Sequence, residues 1–296
     1  MSTFPQAHLI CEDGKYLGWI SLFIPTSISY FLPKSNPSVI LIPMAIDAEI
    51  KTAEARTPTE AFGSNPELEE LFRAGAHFAY SRSHRHPNMA PFIYGIKNNA
   101  EVFDLERVLE KLREASGFMK KLGEAKKSVL WVGTKPSAAR FIEEAASETR
   151  SPYVSIRWLG GTLTNAKIIR ERIKYFEELK NKKESGELGK YTKKEELLIS
   201  REIRALGKYL SGLTLLKNDL GAAVIVDPGE EQTAFREALK VKLPVVAILS
   251  SDNDPAKVDW PVPANDISPS SVGYILKKLS HAYAEGFQGQ NSGVEE

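Results

Sequence analysis

A chain of 296 residues with 42% hydrophobic and 26% charged side chains is long enough to bury a sizeable core and too balanced in composition to be a disordered polyelectrolyte. A single cysteine, Cys11, excludes an internal disulfide framework and fits a reducing, cytoplasmic setting. The net charge of +1 conceals an asymmetry: residues 1–70 carry four basic and nine acidic side chains, which leaves +6 on the remainder.

The apolar runs Leu17 to Pro33 and Ser38 to Ile46 are broken by prolines and hydroxyls, and they show no helical or strand period. A membrane span needs about 20 mostly apolar residues, and a signal peptide needs a basic start and a small-residue cleavage site. Neither pattern is present, so no membrane association is expected. Residues 1–65 are read as an amino-terminal extension, poorly ordered, with Thr52 to Pro66 as its linker.

Between Leu71 and Lys97 the chain carries Arg73, Arg82, Arg85 and Lys97 without an acid, interleaved with His77, His84 and His86. Guanidinium groups beside imidazoles oppose a metal cation, and no cysteine or paired carboxylate joins them. Arg82, His84, Arg85 and His86 are therefore read as nucleic-acid contacts, with simple packing as the alternative. No metal and no other cofactor is expected.

From Ser128 the order of elements is that of an α/β domain. Ser128 to Gly133 reads as a buried strand, followed by a helix that Thr134 caps with Pro136 in its first turn. Tyr153 to Trp158, Ala222 to Asp227 and Pro244 to Leu249 read as further strands, with helices at Glu230 to Lys240 and Pro269 to Glu285. Continuous apolar strands alternating with helices predict a mostly parallel sheet flanked by helices, Rossmann- or flavodoxin-like, over 66–163 and 214–287, with 288–296 a flexible tail.

One segment breaks that rhythm. Residues 164–213 are charged and helix-forming, with apolar positions at Ile168, Ile169, Ile173, Phe176 and Leu179, then at Leu197, Leu198, Ile203, Leu206 and Leu210. The intervening KESGELGKYTKK carries two glycines and reads as a turn. The pattern predicts an inserted antiparallel helical hairpin, a coiled-coil arm whose helices bury their stripes on each other. Two surface helices lying on the sheet are the alternative.

The stretch RWLGGTLTN, Arg157 to Asn165, stands where that segment leaves the sheet. Glycines let backbone amides approach a ligand, and the following helix presents its positive end to anions. Arg157, Gly160, Gly161, Thr162, Thr164 and Asn165, with Lys167, Arg170, Arg172 and Lys174 behind them, are read as a surface for nucleic-acid phosphates. Trp158 continues the apolar strand and is read as a packing residue rather than a stacking platform.

Enzymatic signatures are thin. No dinucleotide fingerprint or P-loop occurs, and WVGTKPS reads as the tight turn of a βα unit. A nucleophile elbow, an HExxH helix and a paired-carboxylate motif are missing, so no catalytic residue is assigned. Asp252, Asp254, Asp259 and Asp266 read as turn and cap residues. The runner-up is a sugar- or nucleotide-phosphate-binding enzyme of α/β fold, with its ligand beyond the carboxyl ends of the strands.

RWLGGTLTN resembles a signature of the bacterial form of the small-subunit ribosomal protein S2 family. Ala74 to Leu105, VLWVGTKPSA, and the carboxyl half IVDPGEEQTAFREALKVKLPVVAILSSDNDP with VPANDISPSS are similar to the family's other segments, in its order, from about Pro66 to Phe287. The chain departs from the family at Ala79 and Tyr80, where Gly and His are usual, and at Asp266-Ile267, where paired aspartates are usual. The resemblance implies an α/β domain with a projecting helical hairpin. It also implies a structural, non-enzymatic role on the cytoplasmic ribosome: binding small-subunit ribosomal RNA and other small-subunit proteins, including the largest, which captures messenger RNA. No small-molecule substrate is implied.

Overall fold

The computed structural model describes residues 65–186, 190–216 and 219–289. The expectation for 1–65 therefore lies outside the described residues, except at Asn65, whose side chain accepts from the Glu67 amide and caps the first helix. The expected tail lies outside them from residue 290, while residues 288 and 289 still belong to the last helix.

Helix α1 (Pro66–Arg73) leads to a hairpin of β1 (Ile93–Lys97) and β2 (Ala100–Phe103). Its two turn residues, Asn98 and Asn99, both have positive φ, 50° and 64°. Asparagine tolerates that conformation, which matches the twist of the flanking strands. Helix α2 (Leu105–Glu124), capped by the Asp104 side chain, was not anticipated from the sequence.

The main sheet comprises β3 (Ser128–Val132), β4 (Tyr153–Val154), β5 (Leu220–Val226), β6 (Val245–Leu249) and β7 (Trp260–Pro263), all parallel in the order β4-β3-β5-β6-β7. Helices α3 (Ala139–Thr149), α4 (Ala166–Glu184), α5 (Lys193–Leu210), α6 (Gln232–Lys240) and α7 (Pro269–Gly289) connect or follow the strands. Alternate strand residues face opposite layers, as the two-residue period of a strand requires. Val129, Trp131, Val224, Val226 and Ile248 pack with Leu112, Met119, Ile142 and Ile275 of α2, α3 and α7. Leu130, Val132, Ala223, Ile225 and Ala247 pack with Ile169, Ile173, Phe176, Ala234 and Ala238 of α4 and α6. With both faces covered, the strands are apolar throughout, which is the signal the sequence displayed.

Several boundaries differ from expectation. The strand over Tyr153–Trp158 is only two residues long, because its partner β3 ends at Val132, level with Val154, and no ladder continues beyond. Thr134 does not cap the next helix. Its amide donates to Glu231 at 2.8 Å, the Ser137 hydroxyl turns to the Asp266 carbonyl, and α3 starts only at Ala139. β7 falls in what read as a proline-rich loop; Pro261 and Pro263 fit because this strand is an edge and needs fewer amide donors.

Residues 164–213 form α4 and α5, with residues 187–189 between them outside the described set. The two helices touch through Tyr175 and Glu202, 3.1 Å apart, and through Phe176, which lies against the Gly207 position. They do not bury their stripes only on each other. Ile169, Ile173 and Phe176 join the core on the sheet, while Ile168, Leu197 and Leu198 are about half exposed, at 48%, 48% and 53%. The apolar stripe of α4 is thus shared between the sheet and α5, whose Ile203 and Leu206 pack on the same cluster.

Three helix-to-strand turns share one device. Lys126, Arg150 and Lys242 have φ of 53°, 48° and 54°, and the next residue's amide returns to a carbonyl five residues back: Lys127 to Leu122, Ser151 to Ala146, Leu243 to Ala238. Glycine usually takes that left-handed position. A side chain there costs roughly 1–2 kcal/mol, and a cation at a helix carboxyl end returns only about 0.3–1 kcal/mol.

Candidate nucleic-acid interface

The glycine corner folds around an internal anion. Glu237, on α6, accepts from the Trp158 indole at 3.1 Å, from the amides of Gly161, Leu163 and Thr164 at 2.7, 3.1 and 3.2 Å, and from the Thr164 hydroxyl at 3.2 Å. Burial pushes its carboxyl up, but these donors outweigh burial and hold it below the ordinary carboxylate value. Gly161 has φ of 91°, which aims its amide inward at low cost. The Thr162 hydroxyl donates to the Leu159 carbonyl at 2.6 Å and is fully buried.

The expectation that Gly161, Thr162 and Thr164 offer donors to phosphate is therefore corrected: a nest of amides beside a helix start does bind a carboxylate, but that carboxylate belongs to the protein. Trp158 is buried at 8% exposure with its indole N–H consumed, as a packing residue would be.

The outer side of the corner is different. Gly160 faces open space, and together with Asn165 and Arg172 it lines a cavity of about 220 Å³. Arg157 is exposed. Behind the corner, Lys167 and Lys174 are exposed on the face of α4 opposite Ile169, Ile173 and Phe176, and Arg170 and Arg172 lie on its two flanks. Among the described residues none of the four basic side chains has a carboxylate partner.

The second basic window is placed elsewhere. The His86 amide donates to the Ser251 carbonyl at 2.8 Å, which holds the Arg82–His86 loop beyond the carboxyl end of β6. Arg85 reaches the fully buried Glu101 at 3.1 Å, and the His86 ring nitrogen accepts from the Asn88 amide, so these two side chains have structural work inside the fold. Arg82 and His84 are exposed. The glycine corner lies toward the amino ends of the strands, beside Gly221 and Pro244. Strands of this length, at about 3.3 Å per residue, put the two basic regions roughly 15–20 Å apart or more. No single small ligand spans that distance, whereas a polyanion does.

The crevice beyond the carboxyl ends of the strands is filled by the protein itself. Lys135 pairs with Asp227 and with Asp266 at once. Burial opposes its charge, yet the two carboxylates raise its pKa well above the usual lysine value; burial pushes Asp266 up, and Lys135 holds Asp227 down despite burial. Of the aspartates read as turn residues, Asp254 caps the turn at Ala256 and Asp259 accepts from Val245, but Asp266 is one of the two carboxylates of this ion cluster. Nothing in the local sequence marks Asp266 as a partner of Lys135, 131 residues away. Among the described residues no group of three His, Cys, Asp or Glu side chains is placed to hold a metal ion, and no helix is long and apolar enough to cross a membrane.

Two further basic residues, Lys127 and Lys242, stand at the amino ends of β3 and β6 near the corner, and the sequence did not single them out. Their signal was a lysine immediately before an apolar strand, in AKKSVLWV and LKVKLPVV.

Comparison with known proteins joins these features. The family described as Ribosomal protein S2 matches residues 71–286. The chain is 39% identical over 218 residues to "Small ribosomal subunit protein uS2" of Mesoplasma florum, covering 74% of this chain and 82% of that protein. It is 38% identical over 223 residues to the protein of the same name from Coprothermobacter proteolyticus, covering 75% and 83%. It is likewise 38% identical over 229 residues to "Small ribosomal subunit protein uS2c" of Rhodomonas salina, covering 77% and 94%. With a parallel α/β sheet, the glycine corner at Gly160–Gly161 and a family match over most of its length, this chain belongs to the ribosomal protein S2 family.

Proposed function

We propose that this protein is a structural, non-enzymatic constituent of the small ribosomal subunit, in the cytoplasm, that binds the subunit's RNA and neighbouring ribosomal proteins during assembly and translation. The observation that carries the reading is the unpaired basic surface of α4, at Lys167, Arg170, Arg172 and Lys174, separated by the length of the sheet from exposed Arg82 and His84. Spread cations without acid partners suit a phosphodiester backbone and supply affinity with little sequence information. Arg157, Gly160 and Asn165 extend that surface around the outside of the corner. Protein neighbours, the largest small-subunit protein among them, dock elsewhere on the sheet domain, 66–163 and 214–287, with 164–213 as its inserted helical pair.

The rival enzymatic reading needs a ligand beyond the carboxyl ends of the strands, and there Lys135 is already held by Asp227 and Asp266. Co-sedimentation tests the proposal: purified protein should travel with small ribosomal subunits, and stoichiometrically with their naked RNA. Failure to do either, with tight binding of a phosphorylated metabolite, would overturn it.

A further inference from the structure

The amino ends of the parallel strands carry a second basic feature that shares only Arg170 with the arm surface. An open cavity of about 380 Å³ is lined by Lys127, Arg170 and Lys242 together with Leu163, Gly221 and Pro244. The three cations come from three separate segments: the turn before β3, the flank of α4, and the turn before β6. Among the described residues no acidic side chain lines the cavity, and none of the three cations has a carboxylate partner.

The Lys127 stem lies over the Gly221 position, which fixes where its ammonium emerges. Lys242 sits in the same left-handed turn geometry as Lys126 and Arg150, and of the three it alone lines this cavity. Three like charges around one concavity repel one another until an anion enters, and the buried Glu237 is already occupied by Trp158 and the corner amides.

We propose that the Lys127–Arg170–Lys242 cavity is a phosphate-binding site. Resting on the RNA-binding reading above, it receives a backbone phosphate of the small-subunit RNA, so that the RNA path turns from α4 onto the amino edge of the sheet. A free phosphorylated molecule would satisfy the same chemistry, and the test separates the two sources.

The experiment uses the full chain as wild type, as Lys127→Gln/Lys242→Gln, and as a control of equal charge, Lys121→Gln/Lys277→Gln, on exposed helix positions that do not line the cavity. Each is titrated with small-subunit RNA over a range of salt concentrations, and separately with pyrophosphate by calorimetry. Equal thermal midpoints establish that all three fold alike. The expected result is a fivefold or greater loss of RNA affinity for the cavity variant relative to the control. Its log affinity against log salt should also be shallower, by about 0.9 for each duplex phosphate no longer neutralised. Pyrophosphate binding that the cavity variant loses, with RNA affinity equal to the control, would keep the phosphate site and assign it to a free phosphorylated ligand. RNA affinity equal to the control without pyrophosphate binding overturns the cavity proposal alone. Wild type that binds no RNA overturns the broader reading instead.

Discussion

The Glu237 carboxylate accepts from the Gly161 amide at 2.7 Å, and through that hydrogen bond a helix on one side of the chain dictates the shape of the corner on the other. Five donors converge on this one side chain, two from side chains and three from the backbone. Replacing it by glutamine keeps the size but removes the charge and sets an amide N–H₂ against donors. Glu237→Gln should lose about 2–3 kcal/mol of unfolding free energy in urea at pH 7. A variant as stable as wild type would mean that the corner is held by something else.

The same carboxylate has a pH signature. The folded carboxyl of Glu237 titrates below its ordinary value, so its stabilisation is present above the unfolded carboxylate range and is lost as pH falls through the lower folded value. Thermal midpoints measured from pH 6 to pH 3 should therefore fall less steeply for Glu237→Gln than for wild type. Parallel slopes would remove Glu237 from the acid limb.

Lys135 tests the filled crevice. Lys135→Met leaves Asp227 and Asp266 facing each other, and breaking a buried pair in this way costs about 3–5 kcal/mol at pH 7. Mutual repulsion and burial raise the folded carboxyl values above the unfolded ones. The variant then takes up a proton on folding and should gain stability as pH falls from 7 to 5. Urea titrations at the two pH values decide the matter, and a variant that is weaker at pH 5 than at pH 7 contradicts the assignment.

On the arm, replacing Lys167, Arg170, Arg172 and Lys174 together by glutamine should weaken binding to small-subunit RNA without changing which RNA is preferred. The salt dependence should flatten by up to about 0.9 for each duplex phosphate that the variant leaves unneutralised. A salt titration with matched and unrelated RNAs reads both quantities; unchanged affinity and slope would move the RNA surface away from α4.

Gly286 tests the packing of the layer formed by α2 and α7. A β-carbon at Gly286 would collide with the Lys120 carbonyl, and one at Gly123 would collide with the Tyr283 carbonyl, so the two helices cross at close range through both glycines. Gly286→Ala should cost about 1–3 kcal/mol by pushing the helices apart. Thermal unfolding that is unchanged would show that the crossing relaxes freely.

The α/β architecture was legible because strands buried on both faces are apolar at every position, and Val129–Val132, Ala222–Val226 and Val245–Leu249 display this without any long-range information. β7 was not legible, because Pro261 and Pro263 signal a loop until the strand is known to lie at an edge. Helix α4 was legible from the spacing of Ile169, Ile173, Phe176 and Leu179. Which surface that stripe would meet was not, since a helical period states that a face is buried and leaves its partner open.

By itself the sequence determined the local chemistry: where amides would be bare, at Gly160 and Gly161, and where charge would collect, along Lys167 to Lys174 and around Arg82. Only the tertiary structure decided which of those groups remain free. Glu237 reaches Gly161 across 76 residues and Lys135 reaches Asp266 across 131. Such pairings depend on the order of strands in the sheet, and local periodicity carries no record of that order. The amides therefore went to an internal carboxylate, the crevice to an internal lysine, and the cations of α4, Lys127 and Lys242 were left facing outward, with no carboxylate paired to them among the described residues.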